Sequence, residues 1–110
     1  MKMHTNYSVI LGQALRQLRK AQGLRQQVAA EVLGISISMV SRLETGNTEM
    51  SVKEFRRLCQ LYGKGVSPVY LWVEDLVRVL ETNGIMVTDL SPEGSLFLPA
   101  SSLGPIIKGW

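Results

Sequence analysis

Cysteine and histidine are almost absent from this sequence of 110 residues, which contains one of each, Cys59 and His4. A structural zinc site takes four ligands, commonly Cys and His, so these two residues cannot build one. A lone cysteine also has no partner for a disulfide within the chain, which is typical of a reducing compartment and predicts a cytoplasmic protein. Zinc-finger and disulfide-stabilised folds are therefore excluded.

Long apolar runs are lacking as well. No run approaches the roughly 20 residues that a membrane-spanning helix needs, and residues 1–8 contain no apolar stretch of the kind found in secretory signals. We therefore expect no membrane partner. With 45% apolar and 19% charged residues, the chain is predicted to fold as one domain with a short appendage.

Positive charge is concentrated in the first part of the chain. Residues 1–67 carry ten Lys and Arg against four acidic residues, whereas residues 68–110 carry two against five. The basic part predicts a polyanionic partner for that part alone. Chance clustering on a solvated surface is the alternative that charge by itself leaves open.

The first 83 residues predict helices, because their apolar residues recur at spacings of three and four. Leu11, Ala14, Leu15 and Leu18 show this most clearly, since they fall on one helical face. A glycine follows each of the first three helical stretches, where a left-handed residue commonly ends a helix. We predict five helices, over residues 8–22, 26–33, 37–44, 52–62 and 68–83.

The second and third of these helices are joined by only residues 34–36. Ser36 is placed to cap the third helix, in which Val40 and Leu43 point toward the core. So short a connection sets two helices at a steep angle, as in a helix-turn-helix arrangement. Further along, Ser51 and Glu54 have the spacing of a capping box at the start of the fourth helix.

The fifth predicted helix has an unusually broad apolar stripe. It is wider than packing against four small helices requires, so the surplus predicts a surface for self-association. The residues predicted to form this dimer interface are Trp72, Leu76, Val79 and Leu80.

Residues 84–110 form a C-terminal extension of different composition. Two short β-prone runs, 85–90 and 95–98, flank a predicted turn at 91–94, and we expect a β-hairpin or strands added to a partner's copy. The tail that follows retains Leu103, Ile106, Ile107 and Trp110, which would cause aggregation if exposed. We expect it to be buried against the same chain or a neighbour.

The order of these parts between Leu11 and Trp72 resembles the lambda-repressor-like (XRE/Cro) helix-turn-helix family. The resemblance implies an all-α, five-helix DNA-binding domain over residues 1–83, followed by the extension at 84–110. Its residues are Leu-Gly-Gln-Ala-Leu-Arg-Gln-Leu-Arg (11–19), Gly23-Leu24, Gln26, Ala-Glu-Val-Leu-Gly-Ile-Ser (30–36), Val-Ser-Arg-Leu-Glu (40–44), Gly46-Asn47 and Val66-Ser67-Pro68.

In this family the third helix lies in the DNA major groove, which implies that Ile37, Ser38 and Arg42 meet base edges. Arginine can donate twice to a guanine, and an apolar side chain can contact a thymine methyl. Gln26 matches a glutamine that binds phosphate, whereas Glu44 matches a residue that bonds within the domain. The complete set of implied DNA-binding residues is Arg25, Gln26, Ser36, Ile37, Ser38, Met39, Ser41, Arg42, Asn47 and Lys53.

Several of these residues have a simpler interpretation. Arg42 fits a solvated surface arginine, Ile37 a residue half inside the core, and Met39 an adaptable packing residue. Arg16, Arg19 and Lys20 fall off the apolar face of the first helix and are expected to lie in water. Arg25 also departs from the Thr or Ser that the family prefers there, so the second helix is expected to lack a side-chain cap.

The function that follows is a sequence-specific regulator of transcription that binds double-stranded DNA, specifically a repressor acting as a homodimer on a palindromic operator. In such a dimer the third helices of the two copies, roughly 34 Å apart, would read successive major-groove faces. Catalytic residues and cofactors are not expected, because the sequence has no carboxylate pair, Ser/His arrangement, phosphate-binding glycine loop or metal cluster.

The alternative is an antitoxin of the same fold, which binds operator DNA and sequesters a toxin protein with its apolar tail. Such a tail is expected to be disordered or to aggregate when the toxin is absent. A tail packed within the chain would instead favour the regulator.

Overall fold

The computed structural model describes residues 2–89 and 94–107. Five helices form most of it, and three short strands and a 3₁₀ turn complete it. In chain order the elements are β1 (Lys2–Asn6), α1 (Tyr7–Ala21), α2 (Gln26–Leu33), α3 (Ile37–Thr45), α4 (Val52–Leu61), α5 (Val66–Thr82), β2 (Met86–Thr88), β3 (Ser95–Phe97) and the 3₁₀ turn Ala100–Ser102.

The helix ends follow the local capping signals. Ser36 Oγ accepts a hydrogen bond from the Met39 amide at 3.1 Å and so begins α3, and Ser51 and Glu54 form the predicted capping box at α4. Arg25 makes no side-chain cap at the start of α2, as its chemistry predicts. These caps set the start of the two helices on either side of the α3–α4 connection.

The fifth helix begins at Val66, two residues before the predicted start at Pro68. Its N-cap is Gly65, so Pro68 is the third residue of the helix. The first four N–H groups of a helix have no intrahelical partner, and the missing N–H of this proline therefore removes no hydrogen bond.

A three-stranded parallel sheet joins the two ends of the chain. Its order is β2-β1-β3, with His4 opposite Met86 on one side and opposite Phe97 on the other. The predicted hairpin is thus replaced by an arrangement in which β2 and β3 each pair with the N-terminal strand. Most of the predicted turn, residues 91–93, lies outside the described residues, as does residue 90 at the end of the first β-prone run.

Two hydrophobic cores share helix α1, whose Leu11 packs against both. The first core lies among α1, α2, α3, α4 and the start of α5, and the second lies between α1, the rest of α5 and the chain ends. The first core contains Leu15, Ala29, Ala30, Val40, Leu43, Met50, Phe55, Leu58, Cys59, Tyr62 and Val69. The second contains Val9, Ile10, Ala14, Val73, Leu76, Leu80, Ile85, Leu103 and Ile107.

The second core changes the interpretation of α5. Leu80 is completely buried and Leu76 is 7% exposed, both inside this chain, so neither can provide the predicted dimer contact. Trp72 is partly buried against the same core, and Val79 is 40% exposed. The breadth of the apolar stripe is explained by the extension packing on it, which the helical pattern alone does not reveal.

The C-terminal tail is packed within the chain. Leu103 is fully buried and Ile107 is 5% exposed, with Ile106 partly buried beside them. This agrees with the expectation that the tail is covered, and the cover comes from the same chain. Trp110 lies outside the described residues.

Candidate nucleic-acid interface

Helix α3 has one buried side and one open side. Val40 and Leu43 are 1% and 2% exposed and anchor the helix in the first core. On the other side Ser38 and Arg42 are exposed, and Ile37 is 49% exposed, so it does not lie in the core. A helix held in this way presents a short row of polar and apolar side chains to a partner.

The turn between α2 and α3 is tight because Gly34 adopts a left-handed conformation, with φ at 68°. The Ile35 amide then donates to the Ala30 carbonyl oxygen at 3.0 Å, which closes the end of α2. Ala30 itself is 5% exposed within the first core, where a larger side chain would separate the helices. The two helices therefore form a rigid helix-turn-helix unit.

A buried charge network lies behind this unit. The Glu44 carboxylate, at 4% side-chain exposure, accepts hydrogen bonds from Arg19 Nε at 2.7 Å and from Arg19 Nη2 at 3.0 Å. Arg19 Nη1 also donates to the Leu24 carbonyl oxygen, and the hydrogen bond to Glu44 raises the pKa of Arg19. The prediction that Arg19 lies in water is therefore wrong, and the structural role expected of Glu44 is confirmed.

Gln26 belongs to the same network. Its amide nitrogen donates to Glu44 Oε1 at 3.0 Å, which fixes the side chain at the first turn of α2. A primary amide has two N–H donors, so one remains for another acceptor. Because the N-terminal amides of a helix also favour an anion, Gln26 is oriented in a way that suits a phosphate.

The start of α2 and the start of α3 border one shallow depression. Arginines dominate its rim, and no acidic residue lines it among the described part of the chain. The residues around it are Arg16, Arg19, Arg25, Gln26, Gln27 and Ile37. The structure thus brings together Gln26 and Ile37, a predicted phosphate contact and a predicted base contact that are separate in the sequence.

The remaining predicted contacts differ in their exposure. Met39 and Ser41 are half-buried on α3, and Ser36 is exposed at its cap. Asn47 is exposed just after α3, where its amide donates to the Arg42 carbonyl oxygen at 2.9 Å. Lys53 is exposed at the second residue of α4, beyond the α3–α4 connection.

Two glycines allow α1 to approach the end of α3, and the sequence analysis missed their role. A Cβ on Gly12 would collide with the Leu43 carbonyl oxygen and lie 2.8 Å from that of Glu44. A Cβ on Gly46 would lie 2.5 Å from Val9 Cα. A glycine inside a helix costs roughly 1 kcal/mol relative to alanine, so Gly12 in mid-helix was a usable signal of close packing.

Other classes of site find no support in the described residues. Within residues 2–89 and 94–107, no three His, Cys, Asp or Glu side chains gather where a metal ion could bind. Over the same ranges, no helix combines the length and apolar character needed to cross a bilayer. Burial raises the pKa of Cys59 to about 11, which suits a packing residue.

The chain is similar in sequence to known regulators. The competence pilus inhibition repressor of Acinetobacter baylyi is 36% identical over 66 residues, which cover 60% of this chain and 60% of that protein. The transcriptional regulator DdrOP3 of Deinococcus deserti is 32% identical over 84 residues, covering 76% of this chain and 60% of that protein. The chain therefore spans less than two thirds of the length of these relatives.

A solved structure has the same arrangement of helices. The clp gene regulator ClgR from Corynebacterium glutamicum matches with a TM-score of 0.58 and 31% identity, over 70% of this chain and 93% of that one. In addition, a family model described as a helix-turn-helix domain matches residues 10–72, more than half of the chain. The chain therefore belongs to the lambda-repressor-like (XRE/Cro) family of helix-turn-helix DNA-binding proteins.

Proposed function

We propose that this chain is a sequence-specific repressor of transcription that binds a palindromic double-stranded operator as a homodimer. The observation that carries the proposal is the division of α3, whose inner side is anchored in the first core while Ser38 and Arg42 are exposed. Repression follows from occupancy of the operator, because a protein held there blocks polymerase without any chemistry. The relatives' names, a repressor among them, support this role.

Base recognition is assigned to the first two turns of α3. Arg42 has five guanidinium donors in a fixed fork and can bind O6 and N7 of one guanine. Ser38 can donate to or accept from either type of base, and the exposed Ile37 suits a thymine methyl. Met39, half-buried, is assigned to packing as well as to the edge of this contact.

Phosphate binding is assigned to the residues around α3. Gln26 and the N-terminal amides of α2 provide one contact, and Arg25 adds positive charge next to them. Ser36, Ser41, Asn47 and Lys53 extend the contact along the backbone of the DNA. Because Glu44 and Arg19 hold Gln26 in place, the phosphate contact is preorganised before DNA arrives.

The antitoxin alternative receives no support from the tail. An antitoxin tail that captures a toxin needs apolar residues available to that partner, whereas Leu103 and Ile107 are buried in the chain's own second core. The packed tail therefore favours the regulator.

The proposal is tested by selecting bound DNA from random sequence and then comparing variants on the selected operator and on unrelated DNA. Arg42→Ala is expected to weaken operator binding by about 5- to 150-fold, from the 1–3 kcal/mol of a bidentate base contact, with little change on unrelated DNA. Gln26→Ala is expected to weaken binding to both DNAs alike, because a phosphate contact carries no sequence information.

Arg78→Ala is the matched control, since Arg78 is an exposed arginine on α5 paired with Asp75, away from α3. It should bind both DNAs like the original chain. Equal losses for Arg42→Ala on both DNAs, or selection that yields no preferred sequence, would contradict the proposal.

A further inference from the structure

A cavity of about 230 Å³ is lined by the start of α1, the α3–α4 connection and the start of α4. Tyr7 and Ser8 line it from α1, residues 49–51 from the connection, Tyr70 from α5 and Asp89 from the segment after β2. We call this space the α1–α4 cavity. Pockets that take drug-sized ligands enclose roughly 300–1,000 Å³, so this cavity suits a smaller molecule.

Most of the wall of the α1–α4 cavity is apolar or aromatic. Three rings line it, those of Tyr7, Phe55 and Tyr70, together with apolar side chains of α1 and α4. Burial, the negative charge of Glu74 and the nearby Tyr70 phenol raise the pKa of Tyr7 to about 12. The Tyr7 ring therefore stays neutral and keeps the electron-rich face that attracts a cation.

The charged groups of the α1–α4 cavity are all negative. Glu49 and Asp89 line it, and no Lys, Arg or His among the described residues does so. Both ion pairs in that part of the chain lie elsewhere, so no protein cation neutralises either carboxylate. Carboxylates beside aromatic faces form the kind of pocket that binds an ammonium group. The same charges repel an anionic ligand.

The α1–α4 cavity adjoins the residues assigned to DNA contacts. Asn47 lies two residues before Glu49 in the sequence, and Lys53 lies four residues after it. The close contact between α1 and the end of α3 is also near, because Val9 in the first turn of α1 packs against Gly46. Since DNA is a polyanion, the charge of Glu49 opposes its approach on this side, and a cation bound beside Glu49 reduces that opposition.

We propose that the α1–α4 cavity binds a small organic cation, an ammonium group on an apolar or aromatic body, and that its occupation strengthens DNA binding. The ammonium group lies among Glu49, Asp89 and the tyrosine rings, and the apolar body lies against Phe55. The effect on DNA rests on the proposed function, whereas the binding of the cation does not.

The first test titrates the purified chain with phenethylamine by calorimetry, beside the neutral analogue 2-phenylethanol and the anion 3-phenylpropanoate. The amine is expected to bind at least about tenfold more tightly than the alcohol, because only the amine carries a charge for Glu49 and Asp89. The anion should not bind measurably. In NMR spectra the amine should shift the amide signals of residues 7–8, 49–52 and 70. Equal binding of amine and alcohol, or shifts confined to other residues, overturns the inference.

The second test changes the carboxylates and the rings of the cavity one at a time. Glu49→Gln is expected to weaken phenethylamine binding about tenfold, and Asp89→Asn is an independent second variant. Tyr70→Leu removes a ring face but keeps an apolar side chain, and should weaken binding about 2- to 30-fold. Circular dichroism verifies that each variant is folded.

Glu81→Gln is the matched control for these variants. Glu81 is an exposed carboxylate at the far end of α5 and does not line the cavity. Its replacement should leave phenethylamine binding unchanged. A loss as large as that of Glu49→Gln would show that net charge rather than the cavity determines binding, which overturns the inference.

The third test measures operator affinity with and without phenethylamine at a concentration that fills the cavity. The affinity is expected to rise about two- to fivefold at low salt and less at high salt, because salt screens the charge of Glu49. By linkage, the operator should raise the affinity for the amine by the same factor. Glu49→Gln should raise operator affinity without the amine and abolish the response, whereas Glu81→Gln should do neither.

The proposed effect on DNA is overturned by an operator affinity that the amine leaves unchanged, or that it changes equally in Glu49→Gln. Failure of the proposed function has a different signature. It appears as lost sequence preference in the DNA selection without the amine, whereas calorimetry measures the binding of the amine without DNA.

Discussion

The two hydrophobic cores are assembled from different parts of the chain. The first core takes its residues from Leu15 to Val69, in helices joined by short connections. The second joins Val9 and Ile10 near one end to Leu103 and Ile107 near the other. Helix α3 thus depends on neighbours close in sequence, whereas the sheet and tail depend on contacts that nearly span the chain.

This difference predicts that the two cores differ in stability. Contacts between distant residues form at a larger cost in loop-closure entropy than contacts within a short helical segment. We therefore expect the second core to be the less stable unit and the α2–α3 unit to be the more rigid one. Helix α1 connects them, because Leu11 packs against both cores.

The largest effect is expected where α1 meets α3, because this contact supports both cores. Gly12→Ala would drive a Cβ into the backbone carbonyls of Leu43 and Glu44, which cannot move without separating the helices. We expect a loss of about 4 kcal/mol or more in the free energy of unfolding, measured by urea denaturation. Helix propensity alone predicts a gain of about 1 kcal/mol. The sign of the measured change in the free energy of unfolding therefore distinguishes a steric clash from an effect of helix propensity.

Lys20→Ala, an exposed change on the same helix, is the control and should alter stability by less than about 0.5 kcal/mol. Stabilisation by Gly12→Ala would show that the close approach of α1 to α3 is wrong.

The next effect tests the charge network inside the first core. Glu44→Ala leaves the buried Arg19 without its carboxylate, at side-chain exposures of 9% and 4% for the pair. Breaking a buried ion pair in this way costs about 3–5 kcal/mol, measured by the same denaturation. Asp75→Ala breaks the exposed Asp75–Arg78 pair, with exposures of 65% and 76%, and should cost less than about 1 kcal/mol.

Similar losses for Glu44→Ala and Asp75→Ala would mean that burial contributes nothing to the strength of the Arg19–Glu44 pair. A large loss for Glu44→Ala alone would show that the first core holds its helices by charge as well as by apolar packing.

The first core and the exposed side of α3 could be predicted from local pattern. The helical spacing of Val40 and Leu43 places Ser38 and Arg42 outward, and the α2 bounds follow from Gln26 and the glycine after Leu33. Arg19 could not be placed by the same reasoning. Its position at the edge of an apolar stripe fits both solvent and a buried partner, and the partner, Glu44, is 25 residues away.

The second core could not be predicted for a physical reason. Strand β1 is a short polar segment, and it becomes a strand because β2 and β3 pair with it on both sides. Strand formation depends on such neighbours more than on intrinsic preference. The covering of Leu76 and Leu80 by the extension follows from the same long-range pairing, so the helical pattern of α5 alone wrongly predicts a dimer contact at these two residues.

The smallest of the three effects tests whether the two cores open independently. Leu103→Ala empties a fully buried site in the second core and should cost about 3 kcal/mol, whereas Leu96→Ala, at 51% exposure, should cost almost nothing. Hydrogen exchange would show where the loss falls, because amides open in cooperative units of different stability. In Leu103→Ala the protection of the β1 and β2 amides should fall while that of the α3 amides persists. If protection instead falls equally in α3 and β1, the two cores open together as one cooperative unit, and α1 couples their stabilities completely.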